Sequence, residues 1–215
     1  MSLGIESTKA MRAALVDAAS WRLLGLLFER PRPGWMREIE ELARECGDPD
    51  LRAAADAAKA ADEGAYLRVL GPGGLSPREV SYQGMADPAR VLADLEAYRR
   101  AFAFRPIAED PPDHVALEVG FVGYLSLKEA LALAEGGEEP ATIVAEARLR
   151  FIETHLRPMA GPLLRRLTAA SAPSWLEAAA RALVARTGDA PDQRMPLPDD
   201  GDAPIPDCPG SSAPV

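Results

Sequence analysis

Apolar residues recur every three or four positions along almost the whole chain, and this spacing constrains the fold more than any other feature. One such stripe contains Val91, Leu95, Tyr98 and Phe102, which fall on one face of a helix with 3.6 residues per turn. No useful length of sequence alternates apolar and polar residues as a half-buried strand does. We therefore predict an all-α fold, a single compact domain of about eight helices over residues 1–187.

Prolines, glycines and aspartates mark where the helices start and stop. Asp48 and Asp87 are each followed by a proline, which combines an N-cap carboxylate with a residue suited to the first helical turn. Gly188 follows an apolar periodic segment and predicts the end of the last helix. The run at 21–28, WRLLGLLF, is apolar on more than one side and predicts a central helix.

Residues 188–215 have a different composition from the rest of the chain. They contain seven prolines and six aspartates, with Arg194 as the single basic residue. Because few large apolar side chains are present, burial cannot offset the conformational entropy lost on ordering. We predict a disordered, acidic, proline-rich C-terminal tail.

Charge and cysteine content argue against several classes of protein. A formal net charge of −9 is unfavourable for a nucleic-acid-binding protein, which needs a basic surface. No apolar run approaches the roughly 18 residues of a membrane span. The two cysteines, Cys46 and Cys208, form neither a disulfide framework nor a metal-binding motif. These features predict a cytoplasmic protein without a resident cofactor or metal.

The sequence IAEDPPDHVALEVGF at 107–121 combines acids, prolines and a histidine. A structural interpretation gives each polar residue from Asp110 to Glu118 a role in the helix. Asp110 would be an N-cap, Pro111 the first helical residue, and Asp113 a carboxylate near the positive helix end. His114 and Glu118 are four residues apart, so they would share a face and pair.

A catalytic interpretation uses the two histidines of the chain. His114, His155 and Glu118 would be an acceptable zinc ligand set, and such a site would support a small metal-dependent hydrolase. The spacing differs from the His-Glu-x-x-His motif of zinc proteases. This hydrolase is the alternative function that the sequence leaves open.

A third interpretation is a peptide-binding groove. Carboxylates at Asp110, Asp113 and Glu118 could face arginines of a partner, with bidentate contacts that favour arginine over lysine. An aromatic stripe beside them could take apolar side chains; its members are Tyr98, Phe102, Phe121 and Tyr124. Composition does not separate this interpretation from the structural one, or from a helical scaffold subunit that stays in a mature complex.

Four blocks of sequence occur in the order found in a known family. They are Trp21–Phe28 followed by Pro31; Ala65–Gly73, which ends in Gly-Pro-Gly; Tyr98 and Phe102 followed by Pro111-x-Asp113-His114, Glu118 and Phe121; and Phe151–Pro158. Together they resemble the TorD/DmsD family of molybdoenzyme-specific chaperones, which is related to the NarJ-type nitrate reductase assembly proteins. The likeness covers roughly residues 10–185.

This resemblance implies an all-helical cytoplasmic chaperone, without enzymatic activity, of the kind that serves anaerobic respiration. Such a protein binds the apo catalytic subunit of a molybdopterin oxidoreductase, often through its twin-arginine leader, until the cofactor is inserted. It would be a monomer or a helix-swapped dimer. Pro111, Asp113 and His114 fall on the peptide-binding motif of the family, and Pro77 falls on its loop proline. Arg78 stands where the family often has an aromatic residue.

Overall fold

The computed structural model describes residues 2–84, 86–106 and 110–188, and within them the all-α prediction is confirmed. These residues form nine α-helices and no β-strand: α1 (Ser2–Phe28), α2 (Trp35–Glu45), α3 (Pro49–Ala57), α4 (Glu63–Leu70), α5 (Pro88–Ala101), α6 (Val115–Ala134), α7 (Glu138–Phe151), α8 (Arg157–Ala169) and α9 (Ser174–Thr187). Each helix contributes buried side chains to one continuous hydrophobic core. The tail predicted beyond Gly188 lies outside the described residues.

The first and sixth helices form the centre of the fold. The apolar run at 21–28 is almost entirely buried, as predicted for a central helix. A β-carbon at Gly25 would lie 3.2 Å from the carbonyl oxygen of Ala116, and at the other end of the pair the Ser126 hydroxyl donates to Asp17. The two helices are therefore antiparallel, and glycine lets their backbones approach closely.

Several predicted helix boundaries are confirmed. The carboxylates of Asp48 and Asp87 accept hydrogen bonds from backbone amides in the first turns of α3 and α5. Gly188 follows α9 with a φ of 75°, a conformation that favours glycine. The proline at 158 also predicts that a helix stops nearby, and this prediction is wrong. The chain passes instead through a π-helical turn, Ile152–Leu156, into α8, because a proline in the first turn of a helix needs no amide donor.

A group of ion pairs fastens the end of α9 to the rest of the fold. The Arg186 guanidinium lies 2.5 Å from Asp17 and 3.3 Å from Asp48, and it stacks over the ring of Trp21. Arg148 of α7 pairs with the same Asp17 carboxylate at 3.1 Å. These contacts place the end of α9 beside the middle of α1. Within the described residues, no helix combines the length and apolar character needed to cross a membrane.

Candidate functional site

The motif at 111–114 is held against the loop that follows α4. The amide of Glu79 donates to the carbonyl of Asp113 at 2.8 Å, and the amide of Val115 donates to the carbonyl of Pro77 at 2.9 Å. Arg78 and His114 thereby form an isolated antiparallel bridge. Two segments that the sequence marks separately, the loop proline and the Pro-x-Asp-His motif, are brought together here.

Asp113 is fully buried and bonded to this loop. Its Oδ1 accepts a hydrogen bond from Nε of Arg78 at 2.9 Å, and its Oδ2 accepts one from the amide of Val80 at 3.4 Å. The prediction that Asp110, Pro111 and Asp113 form the N-cap and first turn of the helix is wrong, because α6 begins at Val115. The pairing with the loop keeps residues before Val115 out of the helix.

His114 is the actual N-cap of α6. Its Nδ1 accepts a hydrogen bond from the amide of Ala116 at 3.1 Å, so the proton of the neutral ring is on Nε2. That nitrogen lies 3.4 Å from the hydroxyl of Tyr66, which donates to the carbonyl of Phe28 at 3.2 Å. Burial lowers the pKa of His114, although the nearby carboxylates of Asp110 and Asp113 oppose the shift.

Glu118 lies in the interior, where neither of its carboxylate oxygens accepts a hydrogen bond from a described N–H or O–H donor, and its carboxyl group lies within hydrogen-bonding reach of Glu79. Burial first, and then the adjacent carboxylates of Glu79 and Asp113, raise the pKa of Glu118 well above its ordinary value, while Arg99 opposes them. The predicted side-chain pair of His114 and Glu118 is wrong, since the two ring nitrogens of His114 face Ala116 and Tyr66. A buried, neutral carboxylic acid is the form this environment favours.

His155 lies in the π-helical turn, where its ring is also buried. Nδ1 is 3.0 Å from one carboxylate oxygen of Glu79 and 3.1 Å from the other. Nε2 is 3.2 Å from Asp94 without the alignment of a hydrogen bond. Among the described residues, no group of three or more His, Cys, Asp or Glu side chains is arranged to hold a metal ion. The predicted zinc-binding set stays a prediction without a supporting observation.

The aromatic residues form a cluster that is mainly internal. Phe121 is fully buried, with ring centroids 4.8 Å from Phe151 and 6.5 Å from Tyr98. Tyr98 and Phe102 are partly buried, as is Pro77, whereas Pro111 is exposed. The assignment of these residues to peptide binding stays a prediction. The three most polar residues of the predicted peptide-binding set, Asp113, His114 and Glu118, are almost completely buried in this structure.

A groove of about 1030 Å³ runs along the crossing of α1 and α6, next to the motif. Its apolar floor is formed by Leu15, Ala18 and Ala19 from α1 and by Leu117, Tyr124 and Leu127 from α6. Leu15 and Leu127 are 42% and 41% exposed, high values for leucines, and both line the groove. Phe104 closes one side, with its ring 5.1 Å from that of Tyr124.

The opposite end of the groove is charged. Its carboxylates are Glu29, Glu63 and Asp110, and we call this region the charged end. Glu29 pairs with Arg22 at 2.6 Å, and Glu63 pairs with Arg30. Asp110 is exposed and has no ion-pair partner among the residues that the structure describes. Partly exposed ion pairs contribute only about 0–1 kcal/mol, so an incoming charged group can exchange with them at little cost.

The buried motif positions one wall of this groove. Asp110 precedes the motif, and Ala116 and Leu117 follow it, and all three line the groove. A guanidinium nitrogen of Arg99 donates to the carbonyl of Pro112, which anchors the segment from inside. The internal hydrogen bonds of Asp113 and His114 therefore set the shape of a surface formed by their neighbours.

Residues that the sequence analysis did not assign to a site form much of the groove, including Leu15, Phe104 and Gly120. One available signal was a glycine inside each of two apolar helices, at Gly25 and Gly120, which marks close backbone approach.

Comparison of the chain with protein-family models, with curated proteins and with solved structures found no match.

Proposed function

We propose that this protein is a maturation chaperone that binds the apo catalytic subunit of a molybdopterin oxidoreductase in the groove between α1 and α6. Binding would keep the subunit available for cofactor insertion before export or assembly. The class of client comes from the resemblance of four sequence blocks to the TorD/DmsD family. The observation that carries the binding function is the groove, which has a floor of exposed apolar side chains and carboxylates at one end.

The groove suits a segment that has arginines at one end and apolar residues at the other. Guanidinium groups can form charge-assisted, bidentate bonds to carboxylates such as Asp110 and Glu63. The apolar residues would then contact Leu15, Tyr124 and Leu127. A twin-arginine leader has this order of residues, and so can a segment of the mature subunit.

The proposal changes which residues contact the client. Asp110, at the edge of the groove, keeps the role that the sequence assigned to three carboxylates. Asp113 and Glu118 are enclosed, and moving either of them to a binding surface would break the packing around α6. We infer that they support the groove wall and that the client contacts the exposed side chains beside them.

Calorimetric titration tests this function. The probe is a synthetic peptide with the residue order of a twin-arginine leader of a molybdopterin oxidoreductase, paired arginines followed by apolar residues. The control peptide carries lysine in place of both arginines. We expect saturable binding of the arginine peptide and at least tenfold weaker binding of the lysine peptide, because lysine cannot make the bidentate contact.

Two results would overturn the proposal. One is the absence of binding to both the peptide and the unfolded full-length subunit. The other is turnover of a small-molecule substrate that is lost on chelation of a stoichiometric metal ion, which would establish the hydrolase instead.

A further inference from the structure

The charged end of the groove carries both signs of charge in an acidic protein. Four arginines line the groove, Arg22, Arg30, Arg32 and Arg105, against three carboxylates, and Glu38 beside the groove pairs with Arg32 at 2.7 Å, which makes the local charge balanced. The whole chain has a formal net charge of −9. Arg105 is exposed and has no ion-pair partner in the described part of the chain. This end of the groove can therefore attract an acidic group as well as an arginine.

Residues 189–215, which we call the acidic segment, combine carboxylates with apolar residues that could contact the arginines and the apolar floor of this groove. Six aspartates against Arg194 give a balance of −5. Within the acidic segment the pattern proline, large apolar residue, proline, aspartate occurs twice, as PLPD at 196–199 and PIPD at 204–207. Each copy contains one large apolar residue, Leu197 or Ile205, two positions before an aspartate. Flanking prolines restrict the chain to extended conformations, which reduces the entropy lost on docking to an aromatic-lined groove.

The last helix ends close enough for the acidic segment to reach the groove. Arg186, two residues before Gly188, contacts Asp17 and Trp21 of α1. Ala18 and Arg22, the next residue after each, line the groove. Successive residues of a helix point about 100° apart, so the path from Gly188 to the groove passes around α1 and is on the order of half the circumference of a helix, roughly 15–20 Å. The nine residues from Gly188 to Leu197 can span about 30 Å when extended.

We propose that the acidic segment docks into the groove of its own chain and covers it when no client is bound. Leu197 or Ile205 would lie on the apolar floor against Tyr124 and Phe104, and the following aspartate would pair with Arg105 or Arg30. The segment then shields exposed leucines and competes with a client for the same floor. The competition with a client rests on the proposed function, whereas the contact between the acidic segment and the groove requires no client.

The two cysteines of the chain provide a direct test on the full-length protein. Cys46 is 0% exposed, so a nitroxide reagent will attach at Cys208, directly after the second copy of the pattern. The measurement is the paramagnetic broadening of backbone amide signals of the labelled chain, compared with the chain after reduction of the nitroxide. To separate contacts within one chain from those between chains, protein that carries the nitroxide but no ¹⁵N is mixed with ¹⁵N protein that carries no nitroxide.

We expect selective broadening at groove residues such as Leu117, Gly120 and Tyr124 in the singly labelled chain. The double substitution Leu197→Ser and Ile205→Ser should remove most of it, while the control Ala190→Ser with Ala213→Ser, outside both copies, should not. Gly120→Trp, which fills the groove, should also abolish the broadening.

Broadening that is uniform, that centres away from the groove, or that survives Leu197→Ser with Ile205→Ser would overturn the inference. Broadening confined to the mixed sample would also overturn it, since the occupant would then be the segment of a second copy. None of these results depends on a client. If the docking contact is absent but the client binds, the inference about the acidic segment fails and the proposed function stands. If the docking contact is present but no client binds, the proposed function fails and the inference about the contact stands.

Discussion

Single residues show how an acidic, proline-containing motif can be mainly structural. His114 uses Nδ1 as a helix cap and is close to Tyr66 through Nε2. Asp113 bonds to Arg78 and to a backbone amide of the same loop. Aspartate and histidine are residue types that often occur in functional sites, yet each of these two side chains already contacts other groups of the protein. Their effect on function passes through the position of Asp110 and Leu117, which they help to hold.

Glu118 should make the stability of the protein depend on pH. In the unfolded chain a glutamate ionises near pH 4.3, whereas burial raises the pKa of Glu118 in the folded state. The unfolded state therefore binds fewer protons as the pH rises, and the free energy of unfolding falls by up to about 1.4 kcal/mol per pH unit until the folded pKa is passed. Glu118→Gln should remove this loss and be more stable than the wild type at pH 8.

Urea unfolding at pH 5 and pH 8 measures the difference. Glu96→Gln is the matched control, because Glu96 is an exposed glutamate of α5 and should leave the pH profile unchanged. Parallel profiles for the wild type and Glu118→Gln would mean that the carboxyl group is ionised in the folded protein.

The hydrogen-bond acceptor of His114 at the N-cap should contribute more to the stability of the protein than the packing of its ring. His114→Ala removes the bond to the Ala116 amide and should cost about 0.5–2 kcal/mol of stability. His114→Asn retains a side-chain acceptor at the N-cap, so it should recover a large part of that loss. Chemical unfolding of the two variants compares them. Equal destabilisation would indicate that the Tyr66 contact and ring packing dominate.

At the scale of elements, the crossing of α1 and α6 is set by glycines that differ in role. A β-carbon at Gly123 would lie 3.1 Å from the amide nitrogen of Arg22 and 3.2 Å from the carbonyl oxygen of Ala18. At Gly120 a β-carbon would meet no atom within 4 Å. The first glycine brings two backbones together, while the second leaves open the floor of the groove.

Alanine at these two glycines should have opposite effects on stability. Gly123→Ala forces α1 and α6 apart and should cost about 1–3 kcal/mol. Gly120→Ala should add about 0.5–1 kcal/mol, because alanine loses less backbone entropy in a helix. Thermal and urea unfolding of both variants test the difference. A stabilising Gly123→Ala would contradict the packing described for this crossing.

The sequence predicted elements better than it predicted the site, and particular residues show why. Asp48, Asp87 and Gly188 are local signals whose effects are decided within one turn, and each prediction is confirmed. The start of α6 was misplaced because the carboxylate of Asp113 accepts hydrogen bonds from Arg78 and Val80 of the loop at 77–80 and does not cap the helix. That pairing joins residues more than 30 positions apart, and no local pattern encodes it.

At the scale of the whole molecule, the groove needs surfaces from α1, α4, α6 and two connecting segments. Leu15 and Leu127 are 112 positions apart in the sequence, so neither their exposure nor their proximity follows from periodicity. The all-α architecture could be predicted from spacing alone, but the site depends on how the helices cross. Four sequence blocks indicated the class of partner, and the fold moved the expected contact from the motif to the groove beside it.

The central claim is that a client polypeptide binds in the groove between α1 and α6, and a substitution that fills the groove tests it most directly. The arginine-bearing client peptide is titrated calorimetrically into the wild type, Gly120→Trp, and the control Ala53→Trp, which places the same side chain at an exposed position of α3 outside the groove. We predict that Gly120→Trp weakens binding at least tenfold, about 1.4 kcal/mol, with unchanged helical content, and that Ala53→Trp binds like the wild type. Equal affinity of Gly120→Trp and the wild type would contradict the claim.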